Sequence, residues 1–295
     1  MSEWEGKSKG NKLGYQIFIY VIRKGGLRPA YTLLYVVALQ FFLFSRKSTK
    51  ASFQFQHHKM GFSWWTSVRN VYKNYYAFGQ SIIDKIVTMA GLPNNFTFEF
   101  NGEQHLLDMV TEGKGGILLS AHLGNWEIAG HLFTRLKTRI HIVMFDAEHA
   151  WVKQIMEDAT QTKKMNVILI KPDLSHIYAI QAALDNKELV CMHADRYLPG
   201  NPISEISFLN EPAPFPLGPF LLCSTFQVPV SFVFAFKTSN SHFKLSATAP
   251  KIYPRKNQNG VELAMQEFVS VMEEKVKQFP LQWYNYYYFW SKETT

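Results

Sequence analysis

Gly116-Ile117-Leu118-Leu119-Ser120-Ala121-His122-Leu123-Gly124-Asn125-Trp126-Glu127 is an apolar run that ends at a histidine, turns at Gly-Asn and reaches a glutamate where a helix should begin. A short apolar run closed by turn residues reads as a buried strand. A strand that feeds a helix through such a turn is the repeating unit of an α/β sheet. The His-x4-Glu spacing lets the Glu127 carboxylate fold back on the His122 imidazole. An imidazole oriented by a carboxylate can strip the proton from a hydroxyl or amine. Chemistry on an acyl group is therefore the first reaction class to consider.

The same alternation extends on both sides. Strands are expected over 96–100, 116–121, 139–145, 166–170, 188–193, 228–236 and 242–248, with helices over 103–112, 125–136, 149–162, 174–186, 217–226 and 260–278. This predicts an α/β fold with a mixed central sheet flanked by helices, its sites at the carboxyl ends of the strands. An aromatic-rich helix over 61–91, stopped by Gly91 and Pro93, precedes it. The expected organisation is a basic N-terminal segment over 1–60, a helical connector over 61–95 and an α/β domain over 96–295. A length of 295 residues is ample for one buried core.

The formal net charge of +8 has a location. Residues 1–60 hold ten Lys and Arg against Glu3 and Glu5, and the rest of the chain is neutral. A nucleic-acid binder would spread its charge over a recognition surface. Here the charge brackets the uncharged, mostly apolar stretch 29–45. Its 17 residues sit at the lower limit of the roughly 17–25 that span a bilayer. A buried core helix is the plain alternative. The basic flanks favour an N-terminal membrane-anchoring helix, spanning or lying in the interface, at the cytoplasmic side of the membrane. Cys191 and Cys223 both fall in apolar runs, which fits a reducing compartment and argues against a metal site or disulfide framework.

Two further blocks carry chemistry-bearing side chains. Leu189 to Gly200 brings Asp195 and Arg196 to the carboxyl end of another strand. Arg196 could clamp an anionic group through its planar fork; equally, the two residues could pair to tie down the loop. Ile206 to Phe220 holds four prolines, expected as a stiff loop, and Gly218, where a ligand or backbone could approach closely. It either walls an acyl channel or packs as a crossover. His141 and Asp146 repeat the His-x4-acid spacing, but on one continuous strand whose pleat holds them apart, so His141 reads as structural.

The apolar anchor, the His122-Leu123-Gly124-Asn125-Trp126-Glu127 block, the Asp195-Arg196 block and the proline-rich block follow one another in an order that resembles the bacterial lipid A biosynthesis acyltransferases. These belong to the wider lysophospholipid acyltransferase superfamily. The resemblance covers roughly residues 15–290. Met1 to Lys7 and Ala194-Asp195-Arg196 look closer to a predicted-acyltransferase branch than to the late lipid A enzymes. The resemblance implies transfer of a fatty acyl group from a thioester, acyl carrier protein or coenzyme A, to a hydroxyl or amine of a lipid or glycolipid. His122 would be the base and Glu127 its partner, with Asn125, Trp126, Asp195, Arg196 and Gly218 binding substrate and no metal or other cofactor required. Bacterial inner-membrane localisation follows from the same likeness. Two departures remove positive charge that a phosphorylated disaccharide would want: Phe145-Asp146-Ala147-Glu148 lacks an arginine, and Gln282 to Trp290 is aromatic and uncharged.

Two other readings stay open. An inactive acyltransferase-like protein would bind lipid or carrier without turnover. A serine lipase or thioesterase would need an activated nucleophile; Ser120 lies near His122, but there is no Gly-x-Ser-x-Gly elbow.

Overall fold

The computed structural model describes residues 12–89, 91–125, 128, 135–145 and 165–290. Its strands are β1 (Thr97–Asn101), β2 (Gly116–Ser120), β3 (Ile140–Phe145), β4 (Met165–Ile170), β5 (Leu189–His193), β6 (Ile203–Phe208), β7 (Glu211–Pro216), β8 (Val230–Lys237) and β9 (His242–Ala247). Its α-helices are α1 (Lys12–Gly25), α2 (Leu27–Phe44), α3 (Arg46–Gln54), α4 (Trp64–Met89), α5 (Glu103–Thr111), α6 (Ser175–Asp185), α7 (Gly218–Phe226) and α8 (Gly260–Gln278). The seven expected strands form within two residues of their predicted bounds. Helices form where 61–91, 103–112, 174–186, 217–226 and 260–278 predict them. The helix expected over 149–162, and nearly all of that over 125–136, lies outside the described residues.

Seven strands build one mixed sheet in the order β1-β9-β8-β2-β5-β3-β4. The run β8-β2-β5-β3-β4 is parallel; β9 is antiparallel to β8, and β1 is parallel to β9. Every residue of β2 is buried, because helices and loops cover both faces of a parallel sheet. Alternation sorts the side chains. Ile117 and Leu119 of β2, with Val190 and Met192 of β5, join the core beneath α6, α7 and α8. Leu118 and Cys191 join the opposite core, with Leu106 and Met109 of α5. From β2 the chain goes past β5 to β3 and β4, returns through α6 to β5, then crosses to β8 on the far side of β2. The order reverses at β2 and β5, and ligands of open α/β sheets bind at the carboxyl ends of strands at such a switch point.

The proline-rich block is not a loop. Its residues form the two-stranded antiparallel ribbon β6-β7, turned at Leu209-Asn210 with φ of 53° and 66°. Left-handed values at both turn residues match the twist of a tight hairpin. Pro212, Pro214 and Pro216 fall at alternate positions. Every second nitrogen of such a strand faces away from its partner, so the missing N–H groups leave the ladder intact.

Before the sheet, α2 lies along α4, burying Ala30, Tyr31, Leu34 and Ala38. Gly79 of α4 admits this approach: a Cβ there would stand 2.3 Å from Leu34 Cδ1. The contact carries a charged pin. The fully buried Asp84 of α4 accepts hydrogen bonds from Tyr31 of α2 and from Lys237 Nζ at the end of β8, the latter at 2.7 Å. Lys237 Nζ also donates to the Tyr31 hydroxyl at 2.6 Å. Burial works against both charges, raising the Asp84 carboxyl and lowering the Lys237 ammonium, while their pairing opposes each shift. Among the described residues, α2 is the one helix long and apolar enough to cross a membrane.

Candidate active site

Adjacent parallel strands with matching registers bring the polar residues together. Leu118 pairs with Cys191 and Ser120 with His193, and the Ala194 N–H donates to the Ser120 carbonyl at 2.9 Å just past the strand ends. Continuing the alternation by two residues sets His122 beside Asp195. The Asp195 carboxylate accepts the His122 backbone N–H at 3.0 Å and lies 2.9 Å from His122 Nδ1. Asp195 is wholly buried, whereas the His122 side chain is 29% exposed. The ring has a buried anchoring carboxylate on one side and an approach for reactants on the other. Burial alone would raise the Asp195 carboxyl, but the His122 ring, its hydrogen bond and the Arg196 guanidinium hold it well below the usual carboxylate range. The carboxylate therefore stays ionised.

His193 stacks on His122, with ring centroids 4.3 Å apart and planes 25° apart. Burial, reinforced by the neighbouring His122, pushes its pKa well below the ordinary histidine value, so His193 stays neutral. Donor atoms of His122, His193 and Asp195 all lie within 4.8 Å of one another, a spacing that a cation could bridge. In this arrangement a hydrogen bond joins His122 to Asp195.

The loop carrying His122 is held from both sides. The Tyr284 N–H donates to the His122 carbonyl at 3.3 Å, Leu123 bridges to Trp283, and the Gly124 N–H donates to the Gln282 carbonyl at 2.8 Å. On the other flank the Asn125 N–H donates to the Ala235 carbonyl of β8 at 2.7 Å. Gly124 has φ of 75°, and a Cβ there would stand 2.1 Å from the Ala235 oxygen, so glycine is required. Arg196 secures the strap by donating to the Tyr284 carbonyl at 2.6 Å, its guanidinium 5.9 Å from the Tyr287 ring. Asn74 of α4 donates to the Leu281 and Trp283 carbonyls, both at 3.0 Å.

The residues expected from sequence divide accordingly. His122, Asn125, Asp195 and Arg196 come together. Asn125 is buried, donating weakly to the Ser81 carbonyl at 3.4 Å, with its side-chain oxygen unpartnered among the described residues. Glu127 and Trp126 lie outside the described residues. Gly218 opens α7, where a Cβ would meet nothing within 4 Å, so no close approach there needs a glycine. The Ser120 hydroxyl is buried without a hydrogen-bond partner among the described residues, and so without a base to activate it. His141 Nε2 pairs with Glu188 at 2.6 Å, which fits a structural role.

Sequence reasoning did not link Asp195 to His122, nor notice His193. The signal was a repeated ending: Ser120-Ala121-His122 and His193-Ala194-Asp195 both follow an apolar run with polar-Ala-polar. Neighbouring parallel strands with the same ending present those side chains on one face.

Residues 71–290 match a family of enzymes that move an acyl group onto a lipid acceptor, so the protein is an acyltransferase. The family is that of the bacterial lipid A biosynthesis acyltransferases, and the chain belongs to it. Membership implies an acyl donor and a lipid A precursor as acceptor, within lipid A and lipopolysaccharide biosynthesis. The match begins inside α4 and runs through the whole sheet to the aromatic tail. No curated protein matches the chain significantly.

Proposed function

We propose that His122 is the general base of a direct acyl transfer from a thioester, acyl-acyl carrier protein or acyl-coenzyme A, to a hydroxyl or amine of the lipid acceptor. The observation that carries this is the buried Asp195 carboxylate 2.9 Å from His122 Nδ1. It favours the tautomer with a proton on Nδ1, which leaves proton transfer to Nε2. The acceptor oxygen or nitrogen attacks the thioester carbonyl as His122 takes its proton. The tetrahedral intermediate then collapses, the carbon–sulfur bond breaks, and the thiolate leaves with the proton from the imidazolium. No covalent acyl-enzyme is needed. Asp195 takes the orienting role that spacing assigns to Glu127. Asn125, Trp126 and Arg196 are the residues we assign to acceptor binding. The enzyme works at the cytoplasmic side of the bacterial inner membrane, held there by its basic N-terminal segment.

The test uses purified protein in detergent, labelled acyl-acyl carrier protein or acyl-coenzyme A, and a crude lipid extract, read by mass spectrometry. A new acylated lipid should form with wild type and disappear with His122→Ala, while circular dichroism stays unchanged. Wild-type turnover by His122→Ala would overturn the assignment.

A further inference from the structure

We propose that α2 does not cross the bilayer but lies in the plane of an anionic phospholipid surface, with the basic groove between α2, α3 and α4 receiving a lipid phosphate. This rests on the membrane-anchor reading above and specifies its geometry.

A spanning helix runs along the bilayer normal, clear of the water-soluble body of the protein. Here α2 is fixed sideways along its length: Ala30, Tyr31, Leu34 and Ala38 form a buried stripe against α4. The Tyr31–Asp84–Lys237 cluster then ties that stripe to the end of β8 in the central sheet. To span, α2 would have to leave α4, break the Tyr31 hydrogen bonds to Asp84 and Lys237, and uncover that buried pair. An 18-residue helix is about 27 Å long, at the lower end of what the roughly 30 Å hydrocarbon core admits.

The opposite face of α2 has the composition of a lipid interface. Val36, Leu39, Leu43 and Phe44 are exposed, Val36 at 66% and Phe44 at 79%, and Trp65 at the start of α4 is 78% exposed. Arg46, Lys47 and Lys50 on α3 follow directly and are exposed. No acidic residue occurs between Glu5 and Asp84. These three cations form no ion pair among the described residues and are open to an anion from outside. A groove of about 350 Å³ opens between the three helices, with Leu43, Phe53, Trp64 and Val68 as its apolar wall and Arg46 and Lys50 at its rim. Apolar depth under a basic rim suits the phosphate and first methylenes of an anionic lipid. Aromatic side chains beside cations are what an in-plane helix presents to the headgroup layer. An acidic protein surface would be served by the cations but not by the exposed Val36, Phe44 and Trp65.

Topology is read first. Lys24→Cys and Lys47→Cys flank the two ends of α2, and Asp185→Cys on α6 marks the side of the catalytic domain. Cys191 and Cys223 are buried, with the Cys191 thiol pushed up to about 12, so background labelling is low. In sealed proteoliposomes, a membrane-impermeant maleimide should label all three positions from the same side. Opposite sidedness of Lys24→Cys and Lys47→Cys would overturn the proposal. The second arm is co-sedimentation with vesicles. R46E/K47E/K50E should weaken binding to phosphatidylglycerol/phosphatidylcholine vesicles about 100-fold or more, at roughly fivefold per basic residue lost, and leave weak binding to phosphatidylcholine alone unchanged. Unchanged phosphatidylglycerol binding, together with a loss of affinity for acyl carrier protein in detergent, would instead assign the patch to a protein. Acyl transfer to a detergent-dispersed acceptor should stay at wild-type level in this variant. That assay reports on the catalytic reading separately from either membrane arm.

Discussion

Exchanging Asp195 for asparagine changes one atom and removes both services the carboxylate gives. Its two oxygens accept the His122 backbone N–H at 3.0 Å and face Nδ1 at 2.9 Å. An amide has one acceptor and one donor. If its oxygen faces Nδ1, its NH2 meets the His122 N–H, donor against donor, in a wholly buried position. If it flips, the NH2 donates to Nδ1, the ring proton moves to Nε2, and the atom that should take the acceptor's proton no longer can. In a serine-protease triad the same exchange lowers kcat by about 10⁴. Here the ring is part-exposed and water can restore some of the lost orientation, so we expect about 10³, equivalent to roughly 4 kcal/mol in the barrier. In the first orientation the unsatisfied donor would also cost about 1–3 kcal/mol of stability, which favours the flipped one. The assay is initial rate with saturating acyl donor and detergent-dispersed acceptor, beside a urea titration that shows the variant folded at the assay temperature. Glu127→Gln is run in parallel. A folded Asp195→Asn enzyme within tenfold of wild type, with Glu127→Gln inactive, would refute the role given to Asp195 and return it to Glu127.

Other outcomes follow from the same geometry. Gly124→Ala forces a Cβ against the Ala235 carbonyl at positive φ, and should cost at least ~2 kcal/mol in a denaturant titration. A displacement of about 1 Å in the base would also lower kcat about 100-fold. Lys237→Met leaves the buried Asp84 unpaired and should destabilise by about 3–5 kcal/mol, whereas Lys237→Met with Asp84→Leu should recover most of that in thermal unfolding. His193 has a folded pKa below its unfolded value, so the unfolded chain binds the proton first as pH falls. Its stabilising effect is therefore present above about pH 6.5 and is lost below it, with a slope approaching 1.4 kcal/mol per pH unit. His193→Gln should flatten the unfolding free energy in that window; an unchanged slope would mean that another group titrates there.

Much of this architecture was readable because buried parallel strands must be apolar throughout and bounded by turn residues, as β2, β5 and β8 are. The β6-β7 ribbon was hidden by its own prolines, which ordinarily argue against a strand. Only knowing that each proline nitrogen faces away from the partner reverses that inference. His122 was legible because it ends an apolar run at a Gly-Asn turn. Its partner was not, since Asp195 lies far along the chain and reaches the imidazole through the pairing of β2 with β5, a contact between strands that no local spacing encodes. The tail was equally opaque. Gln282 to Trp290 reads as an aromatic tract without charge, yet its backbone is what grips the loop.

That grip sets an order of events for the newborn polypeptide. The loop bearing His122 leaves the ribosome well before residues 282–284, whose backbone atoms fasten it. A chain interrupted between Ala247 and Gln282 carries the imidazole, its carboxylate partner and all the strands of the sheet, but not the last clasp on the reacting group. Such a copy also lacks Trp283, Phe289 and Trp290 of the main core, so the packing of the domain and the fastening of its base are completed together, by the same last residues.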